Sequence, residues 1–273
     1  MSEATLQAFN NALEELRASG QLASLTRHYL VPQIMIITMK TPWFIAFEWI
    51  GTAAFALSGV LIARRERYDI IGAGVLAALP AVGGGVLRDL ITQRSPIGVL
   101  QNPQFLLLVI GIVVIGAVFF WIHDALTGRD LGRLATVTDF RWWSSRGALV
   151  VFDGVGLATF TIIGVMVAVE QSCEPLWLWG PILGAITASG GGILRDVLRS
   201  QADIPTLKGT IYPEIALVGG WVYSLVILVR GENLMLTEIL WLTVAVMTAM
   251  LALRLLVVHF KVRSIFLGLA PRA

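Results

Sequence analysis

Two short segments concentrate the residues able to do chemistry in an otherwise apolar chain. They read GGGVLRDLI at 83–91 and GGGILRDVL at 190–198, with six of nine positions identical. Each places three glycines and then an adjacent Arg–Asp pair: Gly83, Gly84 and Gly85 before Arg88 and Asp89, and Gly190, Gly191 and Gly192 before Arg195 and Asp196. Glycine is less favourable than alanine inside a helix by about 1 kcal/mol. Three in succession predict a broken helix. Carbonyls released at a break can coordinate a cation, and the restarted half-helix presents its positive end. A second use of the glycines, close approach of two helices, stays open. A charged side chain at the bilayer centre costs about 2.5–3.5 kcal/mol. The four charges must therefore face protein, a water-filled cavity or an interface. Neighbouring helical residues point about 100° apart. Each arginine is accordingly expected to bond to other helices rather than to the aspartate beside it. A structural ion-pair network and direct contact with permeant ions both fit.

Two more acids, Glu48 and Asp153, stand near the starts of apolar stretches. A solvated interface position explains either as readily as a pore-facing one, and Asp153 has the more apolar surroundings. Other chemistry finds no support. His28, His123 and His259 are scattered without metal-ligand spacing. No Gly-Lys-Ser/Thr follows the glycines, and no serine-nucleophile elbow occurs. The single Cys173 excludes a disulfide framework and a thiolate metal cluster. The reading is non-enzymatic, with no cofactor.

The elements that must hold these residues follow from composition. The chain has 273 residues, 56% hydrophobic and 14% charged, with a mean hydropathy of +0.79. Soluble domains carry about 25% charge, so an ordinary soluble enzyme is excluded and an all-α integral membrane protein is indicated. A net charge of +2 is too balanced for nucleic-acid binding. A span needs about 20 mostly apolar residues. Seven stretches qualify, near 42–63, 70–92, 103–122, 149–169, 176–199, 213–229 and 234–259. The glycine triplets fall in the second and fifth. Trp43, Trp49, Trp121, Trp177, Trp179 and Trp221 sit near span ends, as an aromatic belt requires.

The chain also repeats itself. EWIGTAAFALSGVLIA at 48–63 matches DGVGLATFTIIGVMVA at 153–168 at six of 16 positions, with Glu48 facing Asp153. Together with the two glycine segments this defines a first copy at 42–122 and a second at 149–229, joined by a polar, basic linker at 123–148 that carries Trp142 and Trp143. The last helix, 234–259, lies outside both. Three spans per copy is an odd number, so the second copy enters the membrane from the opposite side as an inverted repeat. Of the 20 Lys and Arg residues, 13 fall in loops on one side (Arg64, Arg146, Arg199 and Lys208 among them) and six on the other. The positive-inside bias then predicts an outside N-terminus and a cytoplasmic C-terminus. Residues 1–38 form an N-terminal extension in which Leu6, Phe9, Leu13 and Leu16 recur at helical spacing. They are expected to form a short amphipathic helix at the interface, or else a dispensable addition to a transmembrane domain at 39–273.

The duplicated GGGVLRD and GGGILRD, each following a helix with GxxAFAxxG-like or GxAxFxxxG spacing, resemble the bacterial branch of the trimeric intracellular cation (TRIC) channel family. The resemblance covers about residues 42–260. It implies seven transmembrane helices, a homotrimer with one pore per protomer, and permeation by monovalent cations, mainly potassium and sodium. It implies that kinked second and fifth helices shape the pore at Gly83, Gly84, Gly85, Gly190, Gly191 and Gly192. A bacterial-type sequence is expected in the cell (inner) membrane, with the lipid bilayer and monovalent cations as its partners. The long N-terminal extension departs from the family's short N-terminus. The expected function is a passive monovalent cation channel. The alternative is a secondary transporter for a small solute such as glycine, and a third class is a non-conducting structural membrane protein.

Overall fold

The computed structural model describes residues 3–25, 29–127, 146–199, 211–231 and 235–262. Trp142, Trp143, Lys208 and most of the linker lie outside these residues. Among the described residues the regular structure is all helical. The N-terminal segment supplies α1 (Glu3–Ala18), α2 (Gln21–Leu25) and α3 (Val31–Met39). The first copy follows as α4 (Pro42–Glu66), α5 (Ile70–Ala78), a π-helical turn at Leu79–Gly83, α6 (Gly84–Ile91), the short α7 (Gly98–Gln101) and α8 (Gln104–Thr127). The second copy is α9 (Arg146–Glu170), α10 (Leu176–Leu198) and α11 (Pro213–Arg230), and α12 (Leu236–His259) is the last helix among the described residues. Among the described residues seven helices are long and apolar enough to cross a membrane, with α5 and α6 counting as one. The protein is a multi-pass membrane protein.

Local chemistry sets the boundaries. Pro42, Pro175 and Pro213 stand at or just before helix starts, where a missing N–H costs nothing. Asp69 caps α5 by accepting the Gly72 N–H at 2.7 Å. The Glu238 carboxylate accepts the Met235 N–H at 3.2 Å at the start of α12. The chain leaves α4 through Arg67 in the left-handed region, φ 61°.

Helices α4, α9 and α10 form the centre of the bundle and α8 lies outermost. Equivalent positions of the two copies meet. Phe55 of α4 stacks on its counterpart Phe160 of α9, ring centroids 5.3 Å apart and 11° from parallel. Gly59 lies against the Leu76–Ala77 backbone, and its counterpart Gly164 lies against Leu183 and Gly184. These contacts are reciprocal between the copies.

The break expected at the second triplet is not found. Helix α10 runs unbroken through Gly190, Gly191 and Gly192. Gly83 and Gly84 also keep helical angles, φ −64° and ψ −38°. At the first triplet the α-helix gives way to the π turn Leu79–Gly83, which ends on Gly83, and α geometry resumes at Gly84. Pro80 explains that turn: it has no N–H to donate, and its ring crowds the carbonyl four residues back. The second copy has Thr187 at the equivalent place, where its hydroxyl donates to the Leu183 carbonyl at 2.6 Å.

Helix α1 has no buried residue. By contrast α3 belongs to the packed body. Met35 and Thr38 are fully buried, Val31 nearly so, and the helix lies against α9.

Candidate functional site: a glycine crossing between two charged clusters

The glycine triplets are where two spans cross backbone to backbone. A Cβ on Gly84 would collide with the Thr187 carbonyl, and one on Gly191 with the Leu79 carbonyl. A Cβ on Gly83 would come within 3.7 Å of the Gly191 Cα, and one on Gly190 within 3.0 Å of Leu87 Cδ1. No side chain fits at the centre of this crossing, which is why both spans carry glycine there. Gly85 and Gly192 differ. A Cβ on either would find within 4 Å only the tip of the arginine three residues on. The close contact repays the helix propensity lost at these positions, so α10 stays continuous and the second span keeps helical angles at Gly83 and Gly84.

Beyond the crossing lies the first charged cluster. Arg88 donates to Asp89 Oδ1 from Nε at 2.9 Å and from Nη2 at 2.7 Å. The neighbouring residues therefore do pair. Their Cβ atoms diverge, but the long guanidinium stem curls back across the helix surface. Asp89 Oδ2 accepts the Gly98 N–H at 2.7 Å. Arg94 reaches Glu170 at the end of α9, 3.1 Å from Oε2. These groups line a cavity of about 510 Å³ that also exposes Glu48, Lys40, Gln101 and Asn102 and runs down to Gly85 and Ala81. The Glu48 side chain makes no hydrogen bond or ion pair among the described residues.

The second cluster is built from the same motif toward the opposite end of α9. Arg195 Nε donates to Asp196 Oδ1 at 2.9 Å, and Arg195 Nη1 lies 3.7 Å from Asp153 Oδ1 and 3.5 Å from Ser58 Oγ. Arg199 Nη1 donates to Asp196 Oδ1 at 3.1 Å and also binds Glu66 of the first copy. Burial, with Arg65 nearby, lowers the pKa of Arg199 from its ordinary value. Arg254, buried in α12, donates to the Ile211 carbonyl at 2.9 Å and lies 4.8 Å over the Tyr212 ring. Burial of the motif charges is the same in both copies: Arg88 and Arg195 are 5% exposed, Asp89 and Asp196 1%.

The site residues expected from sequence thus fall in three groups. Gly83, Gly84, Gly190 and Gly191 meet. Glu48 joins Arg88 and Asp89 around the cavity. Asp153 joins Arg195 and Asp196 in the second cluster. Sequence reasoning missed Glu66, Arg94, Glu170, Arg199 and Tyr212. All stand at or near span ends, where a charge or ring reads as a loop or belt residue. Their pairs join ends that alternate crossings would place together, Arg94 with Glu170 and Arg199 with Glu66.

Comparison with known proteins agrees with this architecture. The family described as glycine transporter matches twice, over residues 45–123 and 150–228. The UPF0126 inner membrane protein YadS of Escherichia coli K12 is 36% identical over 175 residues, 64% of this chain and 74% of its own. A UPF0126 membrane protein of Vibrio cholerae is 33% identical over 182 residues, 67% of each chain. Among solved structures, a TRIC trimeric intracellular cation channel orthologue from Rhodobacter sphaeroides is 26% identical with a TM-score of 0.62, covering 81% of this chain and all of its own. A trimeric intracellular cation channel from C. elegans, 16% identical with a TM-score of 0.52, shares the fold. The chain belongs to this family, the bacterial-type TRIC family.

Proposed function

We propose, from that membership, that the protein is a passive channel for monovalent cations, potassium and sodium, with one pathway through each protomer of a homotrimer. The observation that carries the reading is the charge-lined cavity that enters a single protomer and stops at the glycine crossing. A solute reaching Gly85 has polar groups behind it and two apposed backbones ahead. Passage requires the second and fifth spans to part at Gly84 and Gly191, so the arrangement is a closed one. The matched structures named as TRIC cation channels favour this reading. We place the two copies as inverted repeats, since the first motif bonds toward the Glu170 end of α9 and the second toward its Asp153 end. The N-terminus is then outside and the C-terminus cytoplasmic, in the cell membrane.

Purified trimers in a planar bilayer are expected to give unitary currents that reverse at the cation Nernst potential. Intact trimers without current would defeat the proposal. The family's description as a glycine transporter favours a second reading, transport of a small solute such as glycine. A cavity of about 510 Å³ with both signs of charge has room for a zwitterion. Saturable uptake of labelled glycine, competed by unlabelled glycine and without unitary current, would select it.

A further inference from the structure

We infer that Lys40 sets the electrostatic selectivity of the cavity, lowering cation access and excluding divalent cations most. The inference rests on the proposed cation pathway. Lys40 comes from a segment outside the stretches that match the family, which begin at residue 45. That segment is nonetheless a built wall. The buried face of α3 holds it against α9, and Ile36, Met39 and Lys40 line the cavity beside Glu48. The turn that carries Lys40 is fixed. Its N–H closes onto the Ile37 and Thr38 carbonyls, and Thr41 Oγ1 donates to the Thr38 carbonyl at 2.6 Å.

The remaining charges of the cavity are occupied. Asp89 is held by Arg88 and the Gly98 N–H, and Glu170 by Arg94. Two side chains face the cavity without an ion-pair partner among the described residues: Glu48 and the exposed Lys40. Glu48 attracts a cation and Lys40 repels it. The repulsion scales with ionic charge, so a divalent ion feels it twice over. In a low-dielectric pocket one fixed charge shifts local ion concentration severalfold.

The test compares wild type, Lys40→Gln and Lys40→Glu in planar bilayers at about 0.05 M and about 1 M salt, where the Debye length falls from more than 10 Å to about 3 Å. At low salt, cation conductance is expected to rise about twofold in Lys40→Gln and about fourfold in Lys40→Glu, with a larger calcium-to-potassium permeability ratio. At high salt the three are expected to converge. A second readout needs no current. With Cys173→Ser as background, Glu48→Cys is labelled by a positively charged and a negatively charged thiol reagent. Adding Lys40→Glu is expected to shift the rate ratio about tenfold toward the cationic reagent. A wild type that conducts while both readouts ignore residue 40 overturns this inference and leaves the channel reading standing. A wild type without current, but with the labelling ratio shifted, overturns the channel reading and leaves Lys40 as the charge that governs cation access. An unshifted labelling ratio overturns the inference whether or not current flows. Lys40 is exposed, so size-exclusion profiles of the variants are expected to match wild type.

Discussion

The first copy of the motif opens onto a cavity, whereas the second closes into a knot of ion pairs. Both carry the same three glycines and the same Arg–Asp pair, buried to the same extent. The difference comes from what surrounds them. In the second copy Asp153 and Ser58 approach Arg195 and Glu66 reaches Arg199, so each arginine has acidic neighbours from more than one helix. In the first, Glu48 replaces Asp153 and makes no ion pair with Arg88, and both line the cavity. Pro80 replaces Thr187 and forces a π turn at the point where the cavity ends. Identical motifs thus fix the shared crossing, and their non-identical neighbours decide how each buried charge pair is partnered.

The largest expected effect tests what is common. Gly84→Ala and Gly191→Ala each drive a Cβ into a carbonyl and should destabilise the protein by about 3 kcal/mol or more in thermal unfolding in detergent. Gly85→Ala and Gly192→Ala should be neutral or gain about 0.5–1 kcal/mol, because only an arginine tip stands nearby. Similar losses for all four would mean that the triplets do not act through the crossing.

The next tests the contrast. Arg195→Ala takes from Asp153 its ion-pair neighbour and leaves Asp196 to Arg199 alone, and should cost about 3–5 kcal/mol. Arg88→Ala should cost less, about 1–3 kcal/mol, because Asp89 keeps the Gly98 N–H. The reverse order, read by the same unfolding assay, would mean that the second cluster is not the tighter one.

Exchanging the residues that distinguish the spans comes third. Thr187→Pro should cost about 3 kcal/mol and bend α10. Pro80→Thr should stabilise the second span by about 1 kcal/mol while lowering cation flux in liposomes, if the π turn opens the pathway. Unchanged flux would separate the turn from conduction.

The smallest expected effect is Glu48→Gln, within about 0.5 kcal/mol of wild type in stability because no bonded partner is lost, yet with reduced cation conductance. Asp153→Asn, which removes a partner of Arg195, should cost more in the same unfolding assay.

All seven spans are legible in the sequence, since a long apolar run has one use in a membrane protein. The duplication is legible too, because it is written as identity. What the glycines do is not. A residue without a side chain serves a break or a crossing equally well. The deciding partners, Thr187 for Gly84 and Leu79 for Gly191, lie more than a hundred residues away in sequence. The pairing of Arg88 with Asp89 was hidden for another reason. Helical angles fix where a Cβ points, but a guanidinium at the end of three methylenes can fold back over its own turn. Lys40 and Glu170 read as ordinary loop charges until α3 and α9 are seen to bound one space.

The stacked rings of Phe55 and Phe160 constrain how the halves can drift apart. Because they are counterparts stacked face to face, the buried Phe55 cannot grow unless Phe160 shrinks or shifts toward the cavity it lines. Viable changes at these two positions should therefore arrive as matched pairs, one bulky partner with one slight.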